Sequence, residues 1–250
     1  MTGRTKARLI SLRMWVRRRD KRVVRLVIFA LFIFVTVGLY RGDSGSREAY
    51  PAIRSINTDE SIFAVTVVIS GDEDEEDISA LSETCLNLGV RPVYFAQIGW
   101  IEGNMPLCEE LISRGGTIGL FIPDYILSKS RMATLDAVAS LNDAFYKALG
   151  KYPRYVTCSG KDTDTLSSVL LSFGQYLLSK SGTVTASEYP QVTSGMIVEL
   201  SVIDTESTGN LVACVAGALS AGISPVEMKS FLYECGSPVD ENGMLSDEST

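Results

Sequence analysis

From residue 62 onward the chain switches repeatedly between short continuous apolar runs and longer stretches with apolar residues three and four apart. The runs IFAVTVVI (62–69) and GMIVELSV (195–202) are unbroken enough to predict strands covered on both faces. Residues 75–88 place Ile78, Leu81, Cys85 and Leu88 on one helical face, and Gly89 stops that helix. Residues 131–149 do the same with Leu135, Val138, Leu141, Phe145 and Leu149, closed by Gly150. Further strands are predicted at 92–98, 117–122, 155–158, 175–178 and 223–226, and further helices at 105–113, 163–173, 211–221 and 227–233. Residues 183–194 carry no clear pattern. Strands that alternate with helices and read as buried on both faces predict an α/β fold, either a barrel or a doubly wound sheet. In both, function sits at the C-terminal ends of the strands.

The first sixty residues follow a different rule. Residues 23–40 (VVRLVIFALFIFVTVGLY) are apolar apart from Arg25, long enough to span a bilayer as a helix. Arg25 can snorkel to one interface and Tyr40 suits the other. The preceding residues, 1–22, form a basic arm, which predicts a cytoplasmic N-terminus and an extracytoplasmic C-terminal domain on the cell membrane. A cleaved signal peptide is the rival reading, but the basic region is long and no small-x-small site follows the apolar core. Residues 41–60 read as a polar linker, in which Arg41, Gly42 and Asp43 are too close to the membrane to act as an adhesion motif. The main domain is expected at 61–235 and a disordered acidic tail at 236–250.

Charge sharpens this division. Ten of the chain's 23 Lys and Arg residues lie in the first 25 positions, beside one acid, Asp20. The remainder carries thirteen basic and twenty-nine acidic residues, which disfavours nucleic acid and anionic lipid as ligands. The five cysteines show no CxxC spacing, and Cys85, Cys108 and Cys214 sit in helical patterns where buried thiols are expected.

SGDEDEED (70–77) packs six acids into eight residues directly after the first strand. Its plain reading is the first turn of the helix from residue 75, where acids complement the helix dipole.

Six pieces, in order, resemble the polysaccharide deacetylases of carbohydrate esterase family four (the NodB homology domain). AVTVVISG (64–71) resembles the family's ALTFDDGP strand, LNLGVRPVYFAQIGW (86–100) its GVKATFFVIG segment, and LISRGGTIGLFIPDY (111–125) its GHEIGNHTYSH segment. LNDAFYKALGKYPRYVTCSGKDTD (141–164), SGMIVELSVID (194–204) and ALSAGISPVEMKSFL (218–232) resemble its RPPYG, ILLHD and closing pieces. The resemblance implies a deformed (β/α) barrel, which the apolar run 23–40 places after one transmembrane helix. It also implies hydrolysis of an N-acetyl group by a divalent metal held by one Asp and two His, with a second Asp as base and a later His as acid.

This sequence departs at each of those places. The acidic pair falls at Val68 and Ile69, the metal histidines at Phe121 and Tyr125, the motif arginine at Val156 and the acid histidine at Ser201. The chain has no histidine, so the Asp-His-His site cannot form, and no cofactor is expected. Asp72, Asp124 and Asp204 lie within a few residues of lost positions and are the candidates for a hard-cation site. Cys158 and Ser159 stand at the expected rim near Lys161, though a thiol nucleophile lacks a histidine base. Trp100 and Tyr125, with Cys158 and Ser159, are the binding candidates, and Phe121 reads as a plug in the vacated cavity. Two functions follow. One is an inactive membrane-anchored module that binds cell-wall glycan or an envelope protein. The other is a hydrolase that deacetylates an N-acetylated cell-wall polysaccharide through a non-standard metal site.

Overall fold

The computed structural model describes residues 52–127, 130–159, 164–233 and 244–245. The expected arm and membrane span lie outside these. Among the described residues no helix is long and apolar enough to cross a membrane.

A short strand, β1 (Ser55–Ile56), leads into β2 (Ile62–Ile69), and α1 (Glu75–Asn87) returns the chain to β3 (Val93–Ala96). Two helices, α2 (Ile98–Gly103) and α3 (Met105–Ser113), precede β4 (Thr117–Ile122). Then come α4 (Asp124–Leu127), α5 (Arg131–Leu149), β5 (Tyr155–Cys158), α6 (Asp164–Ser172) and β6 (Tyr176–Leu177). The last part holds β7 (Gly182–Val184), β8 (Ile197–Leu200), α7 (Thr205–Ser220), β9 (Ser224–Pro225), α8 (Met228–Tyr233) and β10 (Met244–Leu245). The main sheet runs β6-β5-β4-β3-β2-β8-β7, with β9 paired to the start of β2. Every pairing in it is parallel. This is the expected α/β architecture, an incomplete barrel.

Strand residues alternate between two cores, as the pleat requires. Phe63, Val65, Val67 and Ile69 of β2 join Tyr94, Leu120, Val156 and Val198 in the larger core, with Ile78, Leu81 and Cys85 of α1. Ala64 and Val68 face the other way, into a smaller core with Val93, Phe95, Phe121, Tyr155 and Ile197. Met228, Phe231 and Leu232 of α8 close that inner core.

The linker expectation for 41–60 needs correction over its described part. Ala52, Ile53 and Ile56 are buried. The Ile53 N–H donates to the Leu177 carbonyl at 2.8 Å, and the Ser179 N–H returns a bond to the Ile53 carbonyl. Three residues on, the Ile56 N–H donates to the Gly195 carbonyl at 2.9 Å. Residues 53–56 thus lie between the end of β6 and the approach to β8, a strap across the opening of the barrel. Isolated apolar residues gain their burial from partners more than a hundred positions away, which local pattern does not reveal. The expected disordered tail is described only at β10, where it is a strand running parallel to β1.

Other differences are local. Ile98 starts α2 instead of ending a strand, the patternless stretch from 183 contributes to β7, and α7 begins at Thr205, six residues earlier than the apolar spacing predicts.

Candidate functional site

The C-terminal ends of the parallel strands form a mouth, where apolar Val68 and Phe121 share the inner face of the sheet with Thr157 and Glu199. Val68 and Phe121 are half-buried and pack on the inner core. Phe95 of β3 stands beside Val68 in register and is buried in the same inner core. Its ring lies over Gly119, where an added β-carbon would come within 2.5 Å of the Phe95 Cε1. The remaining positions that match the deacetylase motif do not converge. Ile69 and Val156 face the outer core, at 2% and 0% exposure. Tyr125 lies on α4, 65% exposed. Ser201 stands just past β8, half-buried, and its hydroxyl donates to Glu199 Oε1 at 2.9 Å.

Glu199 is the feature that motif reading missed. It is the one charged residue in IVEL, at an inward register opposite Thr66 of β2. Its carboxylate is nearly buried, and Lys180 Nζ donates to the same Oε1 at 2.6 Å. A charge inside a strand otherwise made for a core is the signal that marks it. Thr157 on β5 adds a buried hydroxyl, bonded to the Leu178 carbonyl at 2.9 Å.

The acidic candidates are occupied separately. Glu73 turns back on its own loop, accepting from the Ser70 hydroxyl at 2.6 Å and the Gly71 N–H at 2.8 Å. Partial burial raises its carboxyl, but the bonds from Ser70 and Gly71 outweigh this and hold it below the ordinary value. Glu75, Glu76 and Asp77 form the acidic first turn of α1. Asp72 is exposed in the loop. Asp124 accepts from the Ser159 hydroxyl, joining the ends of β4 and β5. Asp204 is the N-cap of α7, accepting from the Ser207 N–H at 2.6 Å, and that bond holds its carboxyl below the ordinary value. Among the described residues no three His, Cys, Asp or Glu side chains are grouped to hold a metal. Asp72, Asp124 and Asp204 therefore do not form a joint ligand set.

Trp100, on α2, is half-buried against the outer core, and its ring edge lies beside Gly71 in the loop that follows the C-terminal end of β2. Cys158 is half-buried at the end of β5 and Ser159 is exposed beside it. The other described thiols are core residues. Burial pushes Cys85 up to about 12 and Cys108 up to about 11, and raises Cys214.

No family profile matches the sequence. No curated protein matches it. Solved structures do. Wild-type BA3943 of Bacillus anthracis, described as a CE4 family pseudoenzyme, aligns with a TM-score of 0.63 at 13% identity, over 80% of this chain and 74% of that one. The fold is that of the family 4 carbohydrate esterases. A family 4 carbohydrate esterase from Bacillus anthracis aligns at 0.61, with 15% identity over 73% of this chain and 87% of its own. Bacillus subtilis PdaA, another family 4 esterase, aligns at 0.60 with 15% identity, over 75% and 87%. The resemblance drawn from six sequence pieces and the structural likeness agree on this esterase scaffold. They reach it by separate routes, since at such identities the structures speak for fold alone.

Proposed function

We propose that this chain is a single-pass membrane protein whose outer, deacetylase-like domain does not deacetylate and serves as a glycan- or protein-binding module of the cell envelope. The observation that carries the reading is the mouth itself. Val68 and Phe121 pack into it where the motif resemblance places a carboxylate and a metal ligand. Replacing ligands by apolar groups removes a desolvation cost and the reason to admit a cation. The complete lack of histidine removes the family's metal ligands and its acid together. A structural neighbour bearing the description of a pseudoenzyme supports the reading by analogy.

The test is acetate release from N-acetylglucosamine oligomers by the full-length chain, with and without added Zn²⁺ or Co²⁺. No release is expected in either case. Metal-dependent release would establish the hydrolase reading in its place. The membrane part is tested by protease protection in sealed vesicles, which should leave residues 1–22 and 52–250 on opposite sides.

A further inference from the structure

Beside the N-terminal ends of β5 and β6 lies a cavity of about 250 Å³, lined by Ala139, Asn142, Asp143, Tyr152, Phe173 and Gln175. Its position sets it at the other end of those strands from the mouth. We propose that it binds one neutral pyranose ring of a glycan, held between Tyr152 and Phe173. The inference extends the glycan reading above and rests on it.

The first observation is aromatic surface left in solvent. Tyr152 is 59% exposed and Phe173 41%. Tyr146 stacks on Tyr152 with ring centroids 4.9 Å apart, extending the apolar wall while remaining half in solvent. Exposed rings gathered around one concavity mark a binding surface more than a packing remainder.

The second observation is the floor. Asn142 and Gln175 are buried and exchange amide bonds, Asn142 Nδ2 to Gln175 Oε1 at 3.3 Å and Gln175 Nε2 to Asn142 Oδ1 at 2.8 Å. Gln175 Nε2 also donates to the Pro153 carbonyl at 2.8 Å. These bonds fix both amides and leave further capacity, a second Asn142 N–H and a lone pair on each amide oxygen. A purely apolar ligand would not use such a floor. A sugar uses both parts, since its C–H faces lie on aromatic rings and its hydroxyls bond amides.

Charge and size narrow the class. The lining holds one carboxylate, Asp143, and no Lys or Arg, so uronates and phosphorylated sugars are disfavoured. A stable protein partner would need about 800 Å² on this side. Six residues around one small cavity suit a ring better than a helix.

The experiment is titration of the full-length chain with chitotetraose, cellotetraose and glucuronate, read by saturation-transfer NMR. The variants are Tyr152→Ala, Phe173→Ala, Asp143→Asn and, at the mouth, Trp100→Ala with Tyr125→Ala. Saturable binding of the neutral oligomers is expected. Tyr152→Ala and Phe173→Ala should each weaken it by at least about tenfold at unchanged melting temperature. Asp143→Asn should admit glucuronate and, as a near-isosteric exposed change, guards against a folding artefact. Binding lost in the Trp100 and Tyr125 variants but retained in Tyr152→Ala and Phe173→Ala would overturn the inference and leave the mouth as the glycan site. Absence of binding to any of the sugars would sink the glycan reading at both places.

Discussion

Gly195 approaches Ile56 so closely that a β-carbon on it would overlap the Ile56 carbonyl oxygen, while its own carbonyl receives the Ile56 N–H at 2.9 Å. Gly195 also holds φ at 77°, a left-handed value that side chains resist. Gly195→Ala should therefore push the strap away from β8 and cost about 2–4 kcal/mol. Gly174 has a similar φ of 69° but nothing within 4 Å, so Gly174→Ala should cost only about 1 kcal/mol. Thermal melts of the two variants provide the comparison. Equal losses would mean that strap contact adds nothing.

The Phe95 ring over Gly119 makes a second pair whose members depend on each other. Gly119→Ala alone should overpack the barrel by about 1–3 kcal/mol. Phe95→Ala alone should leave a void worth about 3–5 kcal/mol. The double variant should be milder than the sum, with a coupling of at least about 0.5 kcal/mol in urea titrations. Additivity would show that the ring does not occupy the space above Gly119.

Lys180 and Glu199 differ in exposure, with side chains at 45% and 10%. Lys180→Met leaves a nearly buried carboxylate without its cation and should cost about 1–2 kcal/mol, a range reduced for the solvent around the lysine. Glu199→Leu with Lys180→Met should recover most of that loss. If the double variant is less stable than Lys180→Met, the pair is held by more than its charges.

Stability should fall as alkaline pH rises. Burial raises the Cys85 thiol from an ordinary 9.0 to about 12, against the opposing bond from Tyr94, and burial raises the Tyr94 phenol as well. The folded chain keeps these protons where the unfolded chain loses them, so stability is full below pH 9 and declines up to about 12. Urea midpoints at pH 8, 9.5 and 11 should decline, and less steeply in Cys85→Ala. Parallel slopes for wild type and variant would exclude Cys85 as a cause.

Much of the barrel is readable from local pattern because its strands are short, apolar and punctuated by glycine. Ile62–Ile69, Met105–Ser113, Thr117–Ile122, Arg131–Leu149 and Tyr155–Cys158 fall where their periodicity predicts. What escapes is set by distant partners or by a single polar atom. Ile53 and Ile56 read as linker because their burial depends on Leu177 and Gly195. The start of α7 is set by one hydrogen bond at Asp204, and TESTGN after it has no apolar stripe to announce a helix. That same bond explains why a carboxylate near a lost motif position is a cap. At the mouth, the sequence motif locates the altered positions, but only strand orientation separates inward Val68 from outward Ile69. Glu199 escapes motif reading because it takes an apolar place in the resembling piece, although its lone charge within IVEL was visible.

The strap also sets an order of events in biosynthesis. Ile53 leaves the ribosome long before its partners at Leu177 and Gly195, and β1 waits longer still for Met244 and Leu245. Closing such a long loop is slow and entropically late. Until then the nascent barrel has an open seam, with two apolar side chains, Ile53 and Ile56, in water. The seam can shut only after nearly the whole domain has been translated, so a chaperone that shields β6 and β8 in the interval would act on the step most prone to misassembly.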